Sequence, residues 1–428
     1  MKDSKTIVFF PEATFGPALN CVGIAQRLRE LGHEPVFVAD SSFKGVFAGY
    51  GFPERMVDMS EPMDEAAASQ FWRDFIASHL PHFRLSPIEQ IPNYVISCWG
   101  TIVDTAVYVE QELSQALDEI GPDLICVDNV ILFPAIKRAG CPWIRIISCS
   151  ENEIPDPDIP PHLSGCGEND KACFEAFQKE FLEAIKPVHE RFNEFLATAG
   201  ERPYPLGEFF ETSPYMNLML YPKQLQFKRR DPLDPNRFQY LEGCVRQDKS
   251  YTIPAFEKNA DKPLLYLSSG SMNTADADLI KRQIELIGRL PYRALVNVGD
   301  ALEEYDALPG NVRIAPWFPQ PSVIPQVDIV IHHGGNNTFT EALYFGKPAL
   351  IMPFCWDGHD NAQRVNDTGH GIGMHRYDWT DDQFAAALER LVSDKEMHAR
   401  LAETSAHMQK QDGVAKAADI ILKIAAKG

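Results

Sequence analysis

Short runs of apolar residues recur along this chain, separated by stretches in which apolar positions return every three or four residues. Residues 5–10 read as a buried strand, 20–31 as an amphipathic helix and 34–39 as a second strand, together a βαβ unit. The pattern repeats with strand-like 123–127, helical 133–139 and strand-like 143–147. It starts again at Pro263, with strand-like runs at 264–267, 292–298, 329–332 and 349–352. Strands that alternate with helices form parallel sheets, and 428 residues exceed what one hydrophobic core usually supports. The pattern therefore predicts an α/β protein with two doubly wound, Rossmann-like halves, residues 1–248 and 263–412. The polar, weakly periodic segment 249–262 links them. Ligands of such sheets bind beyond the carboxyl ends of the strands, which places the expected site in a cleft between the halves.

One stretch carries recognisable chemistry. After the apolar run ending at Ile331, Gly334 and Gly335 permit a tight turn, and Asn337 and Thr338 stand where a helix would begin. Free backbone N–H groups and the positive end of the helix dipole gather at such a start and attract phosphate. The side chains of His333, Asn337 and Thr338 add donors. Glu341, one helical turn beyond Asn337, is spaced to accept hydrogen bonds from ribose hydroxyls. Taken alone, the glycine-rich turn also fits a plain strand-to-helix connection.

Two further blocks stand in register with it. Trp317-Phe318-Pro319-Gln320 begins sixteen residues before His333, and Asp357 follows twenty-four residues after it, within 353–362. Together the three blocks resemble the donor-binding signature of the family-1 glycosyltransferases, UDP-glycosyltransferase-like enzymes of the GT-B fold, with two Rossmann-like domains facing a central cleft. The resemblance implies that Trp317 stacks on the nucleobase while the Gln320 backbone or amide reads its edge, and that Glu341 holds the ribose. It further implies that His333, Gly335, Asn337 and Thr338 take the diphosphate with Gly270-Ser271 as a second phosphate turn, and that Asp357 binds sugar hydroxyls. Singly, Trp317 also fits a core aromatic and Asp357 a solvated loop acid. The implied co-substrate is a nucleoside diphosphate sugar, a UDP-sugar before a dTDP-sugar, with no other cofactor. The implied reaction is an inverting, metal-independent transfer to a small lipophilic or phenolic acceptor held by the N-terminal half. In this fold the last helix, here 413–428, crosses back to that half.

Two positions depart from the family. Gly358 stands where a sugar-holding Gln commonly follows the acid, and Pro17, in Gly16-Pro17, stands where the catalytic His is usual. An alcohol or phenol must lose its proton as the new bond forms, so a substitute base is expected. The candidates are Asp128, which matches the acid of the usual dyad, then Glu12, then a loop histidine among His79, His82 and His162. An acceptor already ionised would need none, and a nucleotide-sugar-binding protein without transfer activity is the alternative from another class. Phe71, Trp72, Phe75, His79, His82 and His162 could line the acceptor pocket, with core packing the equal reading for the aromatic segment.

Composition narrows the setting. Sixty acidic against forty basic residues give a net charge of −20, which repels nucleic acid and anionic lipid. No segment approaches the roughly 18 apolar residues of a membrane span, so a cytoplasmic protein is expected. Nine cysteines without a Cys-x-x-Cys pair predict reduced thiols and no zinc site. Asp156-Pro157-Asp158 and Asp276-Ala277-Asp278 match a metal-binding Asp-x-Asp, but neither follows a strand-like run.

Overall fold

The computed structural model describes residues 4–61, 70, 74–270, 276–299 and 302–427. It contains two all-parallel sheets, in agreement with the alternation in the sequence. The first has seven strands: β1 (Thr6–Pro11), β2 (Glu34–Asp40), β3 (Glu54–Val57), β4 (Leu124–Asp128), β5 (Trp143–Ile147), β6 (Asn217–Met219) and β7 (Phe238–Tyr240). Their order is β3-β2-β1-β4-β5-β6-β7. The second has six strands in the order β10-β9-β8-β11-β12-β13. These are β8 (Leu264–Ser268), β9 (Arg293–Asn297), β10 (Val312–Ala315), β11 (Ile329–His332), β12 (Ala349–Ile351) and β13 (Gly371–Gly373).

Helices on both faces leave the central strands no contact with water, which is why they read as unbroken apolar runs. All of β4 and β8 is buried. Of the helices, α1 (Phe15–Glu30), α2 (Ile96–Ile120) and α3 (Lys171–Thr198) belong to the first half. The second half adds α4 (Ala277–Arg289), α5 (Asn336–Tyr344), α6 (Asp357–Thr368), α7 (Asp381–Ser393) and α8 (Lys395–Gln411). The last helix, α9 (Gly413–Ala425), buries Ala417, Ala418 and Ile421 in one cluster with Ile7, Phe9 and Val22 of the first half.

The topology positions the site. Strand order reverses between β1 and β4 in one sheet and between β8 and β11 in the other, and a ligand crevice opens at the carboxyl end of such a reversal. At those ends Pro11 pairs with Asp128, and Ser268 pairs with His332. Glu12 and Asp128 therefore lie at one switch point, and Gly270 and His333 at the other.

The cysteine expectation needs correction. Cys166 and Cys173 form a disulfide with Cα atoms 5.9 Å apart, and the other seven are free. A spacing of seven carries no recognised pairing signal. The turn at 167–170, where the Asp170 N–H bonds the Gly167 carbonyl and Asp170 caps α3 through the Cys173 N–H, brings the two together.

Candidate active site

At the first switch point the chain leaves β1 through Glu12, whose N–H donates to the Asp128 carbonyl at 2.7 Å. Burial, with the charges of Glu153 and Asp357 adding to it, pushes the Glu12 carboxyl up to about 7. Asp128 is only 3% exposed. One of its oxygens accepts from the Ser148 hydroxyl at 2.7 Å, and the other lies 3.8 Å from the Cys21 thiol. Burial drives its pKa well above the carboxylate range, the Ser148 bond opposing that only in part. Pro17 occupies the first turn of α1, where a missing N–H costs nothing, one turn before Cys21. Position 17 thus shares the helix face that meets Asp128.

The second switch point gathers the predicted donor residues. The turn after β11 runs His333-Gly334-Gly335 into α5, which starts at Asn336. Gly334 has φ +97°, a conformation that L side chains rarely adopt. Burial, reinforced by Arg376, lowers the His333 imidazole to about 4, so it is neutral near pH 7. Its ring lies so close to Gly270 and Gly335 that a Cβ on either would come within 2.6 Å of it. Ser271 lies outside the described residues. The N–H of Asn336, at the start of α5, donates to the Asp357 carboxylate at 3.0 Å. That carboxylate stands where a phosphate oxygen would be received, and burial raises it to about 7. Trp356 just before it has φ 56° and ψ −146°, a backbone state that costs a non-glycine residue about 1–3 kcal/mol.

Glu341 is buried with both oxygens engaged. Arg246 donates to one at 3.0 Å, and Gln320 donates to the other at 2.6 Å and to Thr338 at 3.1 Å. The Gln320 amide therefore faces Glu341 and Thr338, not outward as a base-reading amide would. Trp317 is 50% exposed.

The acceptor-side residues separate. Phe71 and Trp72 lie outside the described residues. Phe75 meets the His79 ring edge-on, and His79 Nδ1 is 3.2 Å from His82 Nδ1. Phe83 is core, packed on Phe354 and Tyr94. His162, far away in sequence, reaches the other half: its Nδ1 is 3.5 Å from Asp360 and 3.1 Å from Ser150 Oγ. The Asp-x-Asp pairs have ordinary partners, Asp156 and Asp158 with Arg230, and Asp276 with Arg376 and Tyr377.

The profile described as "Erythromycin biosynthesis protein CIII-like, C-terminal domain" matches residues 281–422, which include Trp317, the turn after β11 and Asp357. The NDP-glycosyltransferase YjiC of Bacillus subtilis is 25% identical over 325 residues, 74% of this chain and 76% of that protein. The sterol 3-beta-glucosyltransferase of Yarrowia lipolytica is 30% identical over 428 residues, covering 94% of this chain and 28% of that longer protein. The crystal structure of glycosyltransferase VinC in complex with dTDP superimposes with a TM-score of 0.69 at 18% identity, over 99% of this chain and 100% of that one. The chain belongs to the family-1 glycosyltransferases of the GT-B fold.

Two features of this glycosyltransferase escaped sequence reasoning. Arg246, from the segment before the linker, neutralises Glu341, and Asp360 ties two loop N–H groups of the N-terminal half to α6. Nothing in the local pattern around either residue marks it. The departure at Gly358 has a steric cause: a Cβ there would lie 2.5 Å from the His333 carbonyl oxygen, and one at Gly334 would lie 2.6 Å from the Gly358 carbonyl oxygen. The two backbones touch, and Asn361 fixes the contact through a 2.8 Å bond to the Gly334 carbonyl.

Proposed function

We propose that this glycosyltransferase moves a hexose from a nucleoside diphosphate sugar to a hydroxyl of a small lipophilic molecule in a single inverting displacement, with Glu12 as proton acceptor. The observation that carries the donor half is the α5 N-terminus, where the Asp357 carboxylate already accepts from the Asn336 N–H and Glu341 follows on the same helix, while Trp317 is half-exposed. Diphosphate takes the place of the carboxylate there, and the negative charge that grows on the leaving group falls on the positive end of the helix. Displaced, Asp357 is free to turn to sugar hydroxyls. Each oxygen of Glu341 keeps a second lone pair, enough for the vicinal hydroxyls of a ribose, which favours a uridine over a thymidine nucleotide.

Glu12 is the reading for the base because it combines access with a poised pKa near 7. Asp128 is covered by Ser148 and Cys21, and its burial disfavours the ionised form that would accept a proton. The profile match to a macrolide-biosynthesis protein and the sterol-glucosylating relative support a polycyclic or macrocyclic alcohol as acceptor.

Mass spectrometry tests this directly, with UDP-glucose and dTDP-glucose offered alongside phenolic, sterol and macrolide acceptors. A hexose mass gain on an acceptor is expected, at a rate that climbs with pH through about 7 as Glu12 ionises. Donor binding without product would assign the chain to sensing or partnering. An altered sugar nucleotide would make it an epimerase.

A further inference from the structure

The touching backbones of Gly334 and Gly358 leave no room for a side chain at the position from which relatives hold the donor sugar. The sugar's hydroxyls then need another partner, and one stands across the cleft. His162 lies on the loop between β5 and α3, against α6, the helix that begins with Asp357. Asp360, one residue short of a full turn beyond Asp357, accepts from the Leu163 N–H at 2.7 Å, the Gly165 N–H at 2.9 Å and the Ser150 hydroxyl at 3.1 Å. It is also the carboxylate beside His162 Nδ1. Two backbone bonds and one hydroxyl thus fix the loop, and the carboxylate fixes the ring.

The opposite ring nitrogen is in a different state. His162 Nε2 is buried and has no hydrogen-bond partner among the described residues. Leaving such a group unpaired is unfavourable, because it has given up water without gaining a partner. A sugar hydroxyl, both donor and acceptor, pairs with the ring in either tautomer. Asp360 lies in the first turn of α6, so the bonds it makes bring the His162 loop to the end of the helix that begins with Asp357.

We infer that His162 Nε2 hydrogen-bonds a hydroxyl of the transferred sugar, with Asp360 as its positioning residue, and so supplies the sugar contact that position 358 cannot. The inference rests on the donor reading given above. Because ring and carboxylate come from different halves, the contact exists only while the halves are closed on each other. The enzyme therefore reads its sugar in the closed state, and a donor that lacks the hydroxyl leaves Nε2 unpaired.

Calorimetry with UDP, UDP-glucose, dTDP and dTDP-glucose, on wild type and on His162→Ala, His162→Gln and Asp360→Asn, provides the test. The bare nucleotides should bind all four proteins within about twofold. The sugar nucleotides should lose about tenfold in His162→Ala, as expected for one hydrogen bond of about 1.4 kcal/mol. His162→Gln, whose amide can still meet a hydroxyl, should recover part of that loss, and Asp360→Asn should fall between. A merely structural role would weaken nucleotide and sugar nucleotide alike, and that result overturns the inference. So does unchanged sugar-nucleotide affinity in His162→Ala while nucleotides still bind, which leaves the donor site standing. If neither UDP nor dTDP binds wild type, the donor site itself fails and this inference falls with it.

Discussion

Replacing Arg246 with Met should destabilise the protein more at alkaline than at acidic pH. The guanidinium and the Glu341 carboxylate are each 2% exposed and 3.0 Å apart, with Asp248 at 3.4 Å on the outer side of Arg246. Arg246→Met keeps the apolar length but leaves a buried carboxylate with only Gln320 for company. Breaking a buried pair in this way costs about 3–5 kcal/mol. Burial already raises the Glu341 pKa, Arg246 opposing it, and losing Arg246 must raise it further. Between the unfolded value and that raised value the folded state holds a proton the unfolded chain has lost, so stability declines as pH rises, by up to about 1.4 kcal/mol per unit. At low pH the carboxyl is protonated in both states and the penalty is smallest. A domain of this size shifts by about 2–4 °C per kcal/mol, so scanning calorimetry at pH 8 should show a Tm lowered by roughly 6–20 °C. The shift should be clearly smaller at pH 5.5. The double variant Arg246→Met/Glu341→Gln removes the charge and should recover most of the loss. A drop of under about 2 °C at pH 8, or equal drops at both pH values, would refute the account of a buried, mutually dependent pair.

Further outcomes follow from the same geometry. Glu12→Gln should reduce kcat by about 10²–10⁴-fold and abolish its rise through pH 7, whereas a normal pH profile would remove Glu12 from the chemistry. Pro17→His, on the helix face that meets Asp128, should change kcat by less than about tenfold if Glu12 already serves; a hundredfold gain would show that the wild type lacks an efficient base. Gly358→Gln, which restores the commoner family residue, should lower Tm without tightening UDP-glucose, because its Cβ meets the His333 carbonyl. Improved binding would mean that the Gly334–Gly358 contact yields easily. Cys166→Ser should cost about 2–3 kcal/mol in denaturant unfolding, the amount expected for opening a short loop. Thiol labelling of unfolded, unreduced wild type should count seven reactive cysteines, and nine would disprove the disulfide.

What the sequence determined by itself is what neighbouring residues decide together. Periodicity was enough for two parallel sheets, since strands buried on both faces must be apolar throughout and their helices must not be. The strand, turn and helix around His333 were equally legible, because a strand end, two glycines and a helix start are contiguous in sequence. Tertiary structure decided whatever depends on burial and on charges distant along the chain. Asp128 looks like an available carboxylate until Ser148 and Cys21 cover it, and Glu12 becomes poised only inside a cleft shared with Glu153 and Asp357. Gln320 turns toward Glu341, Arg246 arrives from ninety-five residues away, and His162 meets Asp360 from the opposite half. Gly358 seems a loss until Gly334 is found pressed against it. Electrostatic and steric energies depend on separation in space, and only the fold converts the order of residues into those distances.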